Sequence, residues 1–200
     1  MPLLYKPARN LSSRLQQLRK NGTIKTKIVL RGKRHEKAIG LRRSVYGRHK
    51  QEMEQRVLDI LPDAVLLRAA WMYDLPGYGL PIRGNFLLNL LTAAMRQETL
   101  RFSARDYRGI TYVREAVERL TQAMELPGGV YNFGSENDCD MVTTARRACA
   151  LLDIHPVVEA ADWPRSLLMD GGRFRAAAGV GFDDTLTGVQ RCLRDYGLLK

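Results

Sequence analysis

No run of apolar residues in this 200-residue chain approaches the ~18 needed to cross a bilayer. Its first residues, MPLLYKPARN, also lack the apolar stretch of a secretion signal. The chain is therefore expected to work in the cytoplasm, away from membranes. Cysteine is scarce: Cys139, Cys149 and Cys192 are odd in number and form no CxxC pair, so neither a disulfide framework nor a zinc site is suggested. Buried, inert thiols are the expectation. There is no internal repeat and no low-complexity tract. Acidic residues are almost missing from the first 45 positions, where 13 Lys and Arg face the single acid Glu36, a charge of +12. The whole chain carries +11, so residues 46–200 sum to −1. Such a break separates a basic arm, residues 1–43, unrelated to the fold or disordered, from a nearly neutral body, residues 44–200. The arm would attract phosphates in a salt-sensitive way. It has one aromatic, Tyr5, and no zinc finger or helix-turn-helix pattern, so nucleic-acid binding is an alternative that no recognised module carries.

What is present is ordinary globular composition, 45% hydrophobic and 26% charged. In the arm, Leu11, Leu15 and Leu18 fall on one helical face, and TIKTKIVLRGK alternates as a strand can. In the body, Met53, Val57, Ile60 and Leu61 mark one side of a helix over 46–61 that Pro62-Asp63 stops. AVLLRAAWMY, 64–73, reads as one strand buried on both faces. After the loop PGYGLPIRG, 76–84, come the helix NFLLNLLTAAMRQ and the strand TLRF. The loop SARDYRGI then leads to a helix from Thr111 to about Met124. A strand over 129–135, a helix capped by Asp138 or Asp140 and running to Leu152, and a strand over 156–161 come next. A helical turn near GGRFRAA precedes a helix over 185–195, with Asp183 and Asp184 at its positive end. Strands alternating with helices predict an α/β protein with a mainly parallel sheet.

One stretch carries chemistry. In SVYGRHKQEMEQ, Tyr46 and Lys50 stand four apart and share a helix face. A tyrosine near its ordinary pKa of about 10 holds a proton at neutral pH, and an adjacent ammonium stabilises the phenolate. The pair is a tuned acid, able to protonate a carbonyl oxygen as hydride reaches its carbon. The bland reading is a helix-start aromatic beside a solvated lysine.

The order RAAWMY, GNFLLNLLTAAMRQETLRF, DYRGITYVREAVERL, GVYNFGSENDCDMVTTARRACALL, WPRSLLMDGGRF and GVGFDDTLTGVQRCLRDYGL, all downstream of YGRHK, resembles the C-terminal part of the dTDP-4-dehydrorhamnose reductase family, extended short-chain dehydrogenases acting on sugar nucleotides. The resemblance covers about residues 44–199. It implies a partial Rossmann-like parallel sheet with the substrate-binding subdomain, and reduction of a 4-keto group on a nucleotide-linked deoxysugar with hydride from NADPH or NADH. In this reading Tyr46 is the proton donor, and Lys50 lowers its pKa and binds the nicotinamide ribose. Trp71 lines the substrate pocket, and Asn85 and Phe86 begin a helix beside it. Asp106, Gly109 and Thr111 match the family pattern Asp-Gln-x-Gly-x-Pro-Thr, while Tyr107 and Ile110 depart from it. Arg165 is placed to pair with a diphosphate.

The coenzyme's own signature is missing. The glycines before Tyr46 are Gly22, Gly32 and Gly40, and no G-x-x-G-x-x-G or G-x-G-x-x-G opens a strand–turn–helix unit anywhere in the chain. The expectation is a truncated reductase, inactive as it stands, whose uncovered apolar strand favours aggregation or a homodimer. The competing reading is a non-catalytic relative that binds a sugar nucleotide or regulates.

Overall fold

The computed structural model describes residues 27–30, 45–76, 84–163 and 166–199. Strand β1 (Lys27–Leu30) precedes helix α1 (Val45–Ile60), β2 (Val65–Ala69) and β3 (Trp71–Tyr73). Next come α2 (Phe86–Arg96), β4 (Thr99–Ser103), β5 (Ile110–Tyr112), α3 (Val113–Glu125) and β6 (Gly129–Phe133). The described chain ends with α4 (Met141–Leu151), β7 (Val157–Ala161), α5 (Gly172–Ala178) and α6 (Thr185–Asp195). Every described strand pairing is parallel. β2 lies between β1 and β6, and two small sheets join β3 to β5 and β4 to β7. The fold is α/β, a partial Rossmann-like parallel sheet with accessory strands. No described helix is long and apolar enough to cross a membrane.

The apolar character of β2, broken only by Arg68, follows from helices on both of its faces. Val65 and Leu67 pack with Ala116 and Ala123 of α3 and Phe174 of α5. Ala64, just before the strand, and Leu66 meet Met53, Val57 and Leu58 of α1 on the other side. A second core, around Tyr73, Leu87, Leu90, Ile110, Ala145, Val189 and Leu193, joins β3 and β5 to α2, α4 and α6.

Three readings from sequence are corrected. The single strand over 64–73 is two strands in different sheets. The Ala70 amide donates to the Phe133 carbonyl at 2.9 Å as the last rung toward β6, and Trp71 onward pairs with β5. A run that is apolar but for Arg68 carries no signal for a change of partner. The helix expected from Thr111 begins at Val113, because Ile110, Thr111 and Tyr112 form β5, all three buried. The strand expected over 129–135 stops at Phe133. Gly134 turns there with φ +148°, and a Cβ on it would lie 2.4 Å from the Ala70 Cβ, so only glycine fits. The strand read within TIKTKIVL forms as β1, in register with β2 from Lys27 opposite Val65 to Leu30 opposite Arg68.

Candidate functional site

Tyr46 and Lys50 occupy the first two turns of α1, one turn apart. The Tyr46 side chain lies outside the described atoms, and Lys50 is half-buried. One turn further along the same face stands Glu54, 6% exposed. Its carboxylate accepts two bonds from Arg68 of β2, Nε to Oε1 at 2.8 Å and Nη2 to Oε2 at 2.6 Å. This fork geometry fixes the axial position of α1 against the strand that leads, three residues on, to Trp71. Sequence reasoning passed over both partners. The available signal was an arginine inside an otherwise apolar strand, a residue type that is seldom buried unless paired.

The carboxyl ends of parallel strands are where open α/β sheets bind ligands. Just past that end of β2, Trp71 is 46% exposed, and the Arg108 guanidinium lies over its ring, 3.9 Å from the centroid. Arg108 Nη2 donates to Asp106 Oδ2, and Asp106 is buried. Asp106 Oδ1 accepts from the Leu167 amide at 3.0 Å, and its carbonyl accepts from the Met141 amide at 2.9 Å. The Arg108 carbonyl accepts from Asn137 Nδ2 at 2.9 Å. Gly109 passes so close to the next loop that a Cβ would lie 1.7 Å from the Ser135 carbonyl oxygen. Ala70, Trp71, Arg108, Gly109, Leu167 and Met169 together line a small cleft.

Of the expected site residues, the structure joins Trp71 to Asp106, with Arg108, unremarked in the sequence, as the link. Asn85 caps α2: its Oδ1 accepts from the Leu88 amide at 3.2 Å and its Nδ2 donates to the Asp74 carbonyl at 2.7 Å. Phe86 is half-buried, edge-on to Phe102 at 6.0 Å. Thr111 is fully buried, its Oγ1 accepting from the Ser135 amide at 2.8 Å. Arg165 lies outside the described residues. Two of the thiols are poor nucleophiles: burial raises the Cys149 pKa, and burial followed by the charges of Asp74 and Asp195 pushes Cys192 up to about 12.

A nicotinamide dinucleotide needs a glycine turn delivering its pyrophosphate to the free amides of a helix N-terminus. Those amides are taken by side chains of the chain itself at three described helices. Asn85 caps α2, Asp140 accepts from Val142 and Thr143 on α4, and Asp184 accepts from Leu186 and Thr187 on α6. Two of these caps are carboxylates that would repel a diphosphate. Burial opposes the charge on Asp140, but bonds from the Thr143 amide and hydroxyl and the Val142 amide prevail and hold its pKa low. The N-termini of α2, α4 and α6 therefore do not fit the coenzyme's phosphates, whereas α3 and α5 begin without a side-chain cap.

The model of one protein family, described as the RmlD substrate binding domain, matches residues 32–168. A probable dTDP-4,6-dihydroxy-2-methyloxan-3-one 4-ketoreductase of Streptomyces antibioticus is 30% identical over 143 residues, 70% of this chain and 41% of that protein. Among solved structures, dTDP-4-dehydrorhamnose reductase from Bacillus anthracis in complex with NADP superposes with a TM-score of 0.63 at 16% identity, over 76% of this chain and 55% of that one. UDP-N-acetylglucosamine 4-epimerase from Methanobrevibacter ruminantium in complex with UDP-N-acetylmuramic acid gives 0.64 at 15% identity, over 94% and 68%. The chain thus spans about two fifths of the length of its curated relative.

Proposed function

The chain belongs to the RmlD substrate binding domain family, and on that premise we propose that it forms the sugar-nucleotide-binding and proton-donating part of a ketoreductase. The substrate class is a nucleotide-linked 4-keto deoxysugar. The observation that carries this reading is the pinning of α1 by Glu54 and Arg68 to the strand that ends at Trp71. One ion pair ties the helix of Tyr46 and Lys50 to the strand end at the cleft. NADPH or NADH would supply hydride when bound. The work of this chain is the other half: Tyr46 gives its phenolic proton to the sugar's C4 oxygen, and the Lys50 ammonium stabilises the phenolate left behind. Trp71 lines the pocket beside the ring. Asp106 holds Arg108 against the indole. In this reading Asn85 and Phe86, at the start of α2, and Thr111, in the middle of β5, complete the sugar site, and Arg165 pairs with the diphosphate.

The test is titration of the purified chain with dTDP-glucose, then nicotinamide absorbance with a dTDP-4-keto-6-deoxysugar and NADPH. Sugar-nucleotide binding with turnover abolished by Tyr46→Phe supports the reading; absence of nucleotide-sugar binding refutes it. A second reading, a binding or regulatory relative without chemistry, is favoured by the carboxylate-capped helix N-termini and the missing glycine motif. It expects binding of the sugar nucleotide with no oxidation of NADPH. Homodimerisation in the cytoplasm belongs to either reading, and sedimentation velocity checks the dimer.

A further inference from the structure

Helix α3 carries an apolar stripe on its surface. Val113, Val117, Leu120 and Met124 recur at four- and three-residue steps and so share one flank of the helix. Val117 is 59% exposed, Leu120 38% and Met124 55%. Where the stripe points follows from what the other flanks of α3 touch. Ala116 and Ala123 are buried in one core with Val65 and Leu67 of β2. On the flank to one side of them, Glu115 accepts from the Asp183 amide at 2.8 Å and Arg119 Nε donates to the Gly181 carbonyl at 2.9 Å. Phe182, between those two partners, meets the Phe133 ring of β6 at 4.8 Å, so this flank looks toward β6. At 3.6 residues per turn the stripe lies on the opposite side of Ala116 and Ala123. It therefore looks toward β1, the strand on the other side of β2.

A parallel sheet is covered by helices on both faces, and the place beside α3 over β1 calls for one. The stretch leading into β1 is NLSSRLQQLRK, residues 10–20, where Leu11, Leu15 and Leu18 repeat the same four- and three-residue steps. Residues 21–26 link it to β1 and span about 20 Å when extended, which confines the segment to the neighbourhood of that strand. Its charges are Arg14, Arg19 and Lys20, of the sign that suits the exposed acids Glu118 and Glu125 of α3. A second copy of the chain is the poorer occupant. A stable interface buries about 800 Å² per partner, more than three part-exposed side chains supply. A tethered segment needs far less, because its local concentration is high. We propose that residues 11–18 form a helix that packs Leu11, Leu15 and Leu18 on the stripe of α3 and completes the helix layer beside β1. The contact is the same under either functional reading.

The test uses the full chain with Cys139→Ser; Cys149 and Cys192 are buried, with raised pKa values, and stay silent. Leu15→Cys and Leu120→Cys are added, and a short bismaleimide is offered. A link within one chain between 15 and 120, mapped by peptide mass, is expected. Its yield should fall at least about fivefold when the second cysteine is Met95→Cys, on the exposed side of α2, and by as much when Leu11→Ser and Leu18→Ser are added to the 15–120 pair. A link between two chains would assign the stripe to a second copy. Equal yield at 95, or a 15–120 link untouched by the serines, would mean collision of a tether alone. Each of these overturns the proposal, as does no link. Without any new cysteine, the amides of residues 11–18 should exchange about tenfold slower than an unstructured chain, and return to that rate in Leu120→Asp. Fast exchange in the parent overturns the proposal by itself.

Discussion

Replacing Glu54 by leucine tests whether the helix of Tyr46 and Lys50 is held by a buried charge pair. The pair is bidentate, at 2.8 and 2.6 Å, and its side chains are 18% exposed for Arg68 and 8% for Glu54. Water cannot take the carboxylate's place at such burial. Removing one member of a buried pair costs about 3–5 kcal/mol. Because the arginine keeps some contact with solvent, the lower end, about 3 kcal/mol, is expected. A control lies on the same helix: Arg56 and Glu52 form an i,i+4 pair with side chains 73% and 56% exposed. Glu52→Ala should cost no more than about 0.5 kcal/mol. The double variant Glu54→Leu, Arg68→Met removes both charges and keeps apolar volume, and should return to within about 1 kcal/mol of the parent. The assay is equilibrium unfolding in urea with linear extrapolation, at an unchanged slope. A loss below about 1 kcal/mol for Glu54→Leu, or a double variant that loses the sum of the singles, would refute the reasoning.

Gly109→Ala puts a Cβ 1.7 Å from a backbone oxygen, a clash that no rotamer relieves. The expected outcome in a thermal melt is a fall of at least about 3 kcal/mol in stability or failure to fold. Asp140→Ala removes the α4 cap and should cost about 1 kcal/mol by urea unfolding at neutral pH. The folded pKa of Asp140 is depressed, so its charge contribution is present above the unfolded value of about 3.9 and lost as pH falls through the folded one. The advantage of the parent over Asp140→Asn should accordingly shrink in acid. Glu115 runs the other way: burial, its largest cause, raises the pKa, so the native state holds the proton longer and stability falls as pH rises above about 4.3. Glu115→Gln keeps an acceptor for the Asp183 amide, bonded at 2.8 Å, and should gain on the parent in urea midpoints measured from pH 4 upward.

The helices were legible where their caps are local. Asp184 before a helix over 185–195 and Asn85 before the helix after the loop both signal a start within three residues of the bond they make. The parallel α/β class was legible because β2 and β6 read as short apolar runs between helical stretches. Strand partners were not. Nothing in AVLLRAAWMY marks Ala70 as the point where the chain leaves β6 and joins β5, since that switch depends on Gly134 and Thr111, many residues away. The same holds for the site. Tyr46 and Lys50 stand out because their spacing is local. The importance of Arg108 depends on Trp71, Asp106 and Leu167, which come together only in the folded chain. Glu54 lay between: its position eight residues after Tyr46 gives the shared face, but its partner in β2 belongs to tertiary structure.

The cleft and the helix differ in how they are held. Loop 103–110 is fixed from several sides: Ser103 Oγ donates to the Trp163 carbonyl at 2.9 Å, Asp106 is bonded through side chain and backbone, and the Ile110 amide donates to Thr185 Oγ1 at 3.1 Å. A side chain carried on so constrained a loop keeps its position. α1 is held by one charge pair and an apolar face made by Met53, Val57 and Leu58. Tyr46 and Lys50 sit at the start of the helix, two turns and one turn before that pair, where position along the axis is set and tilt is less so. The cleft side is therefore held by several bonds at once, while the start of α1 depends for its alignment on Glu54 and Arg68.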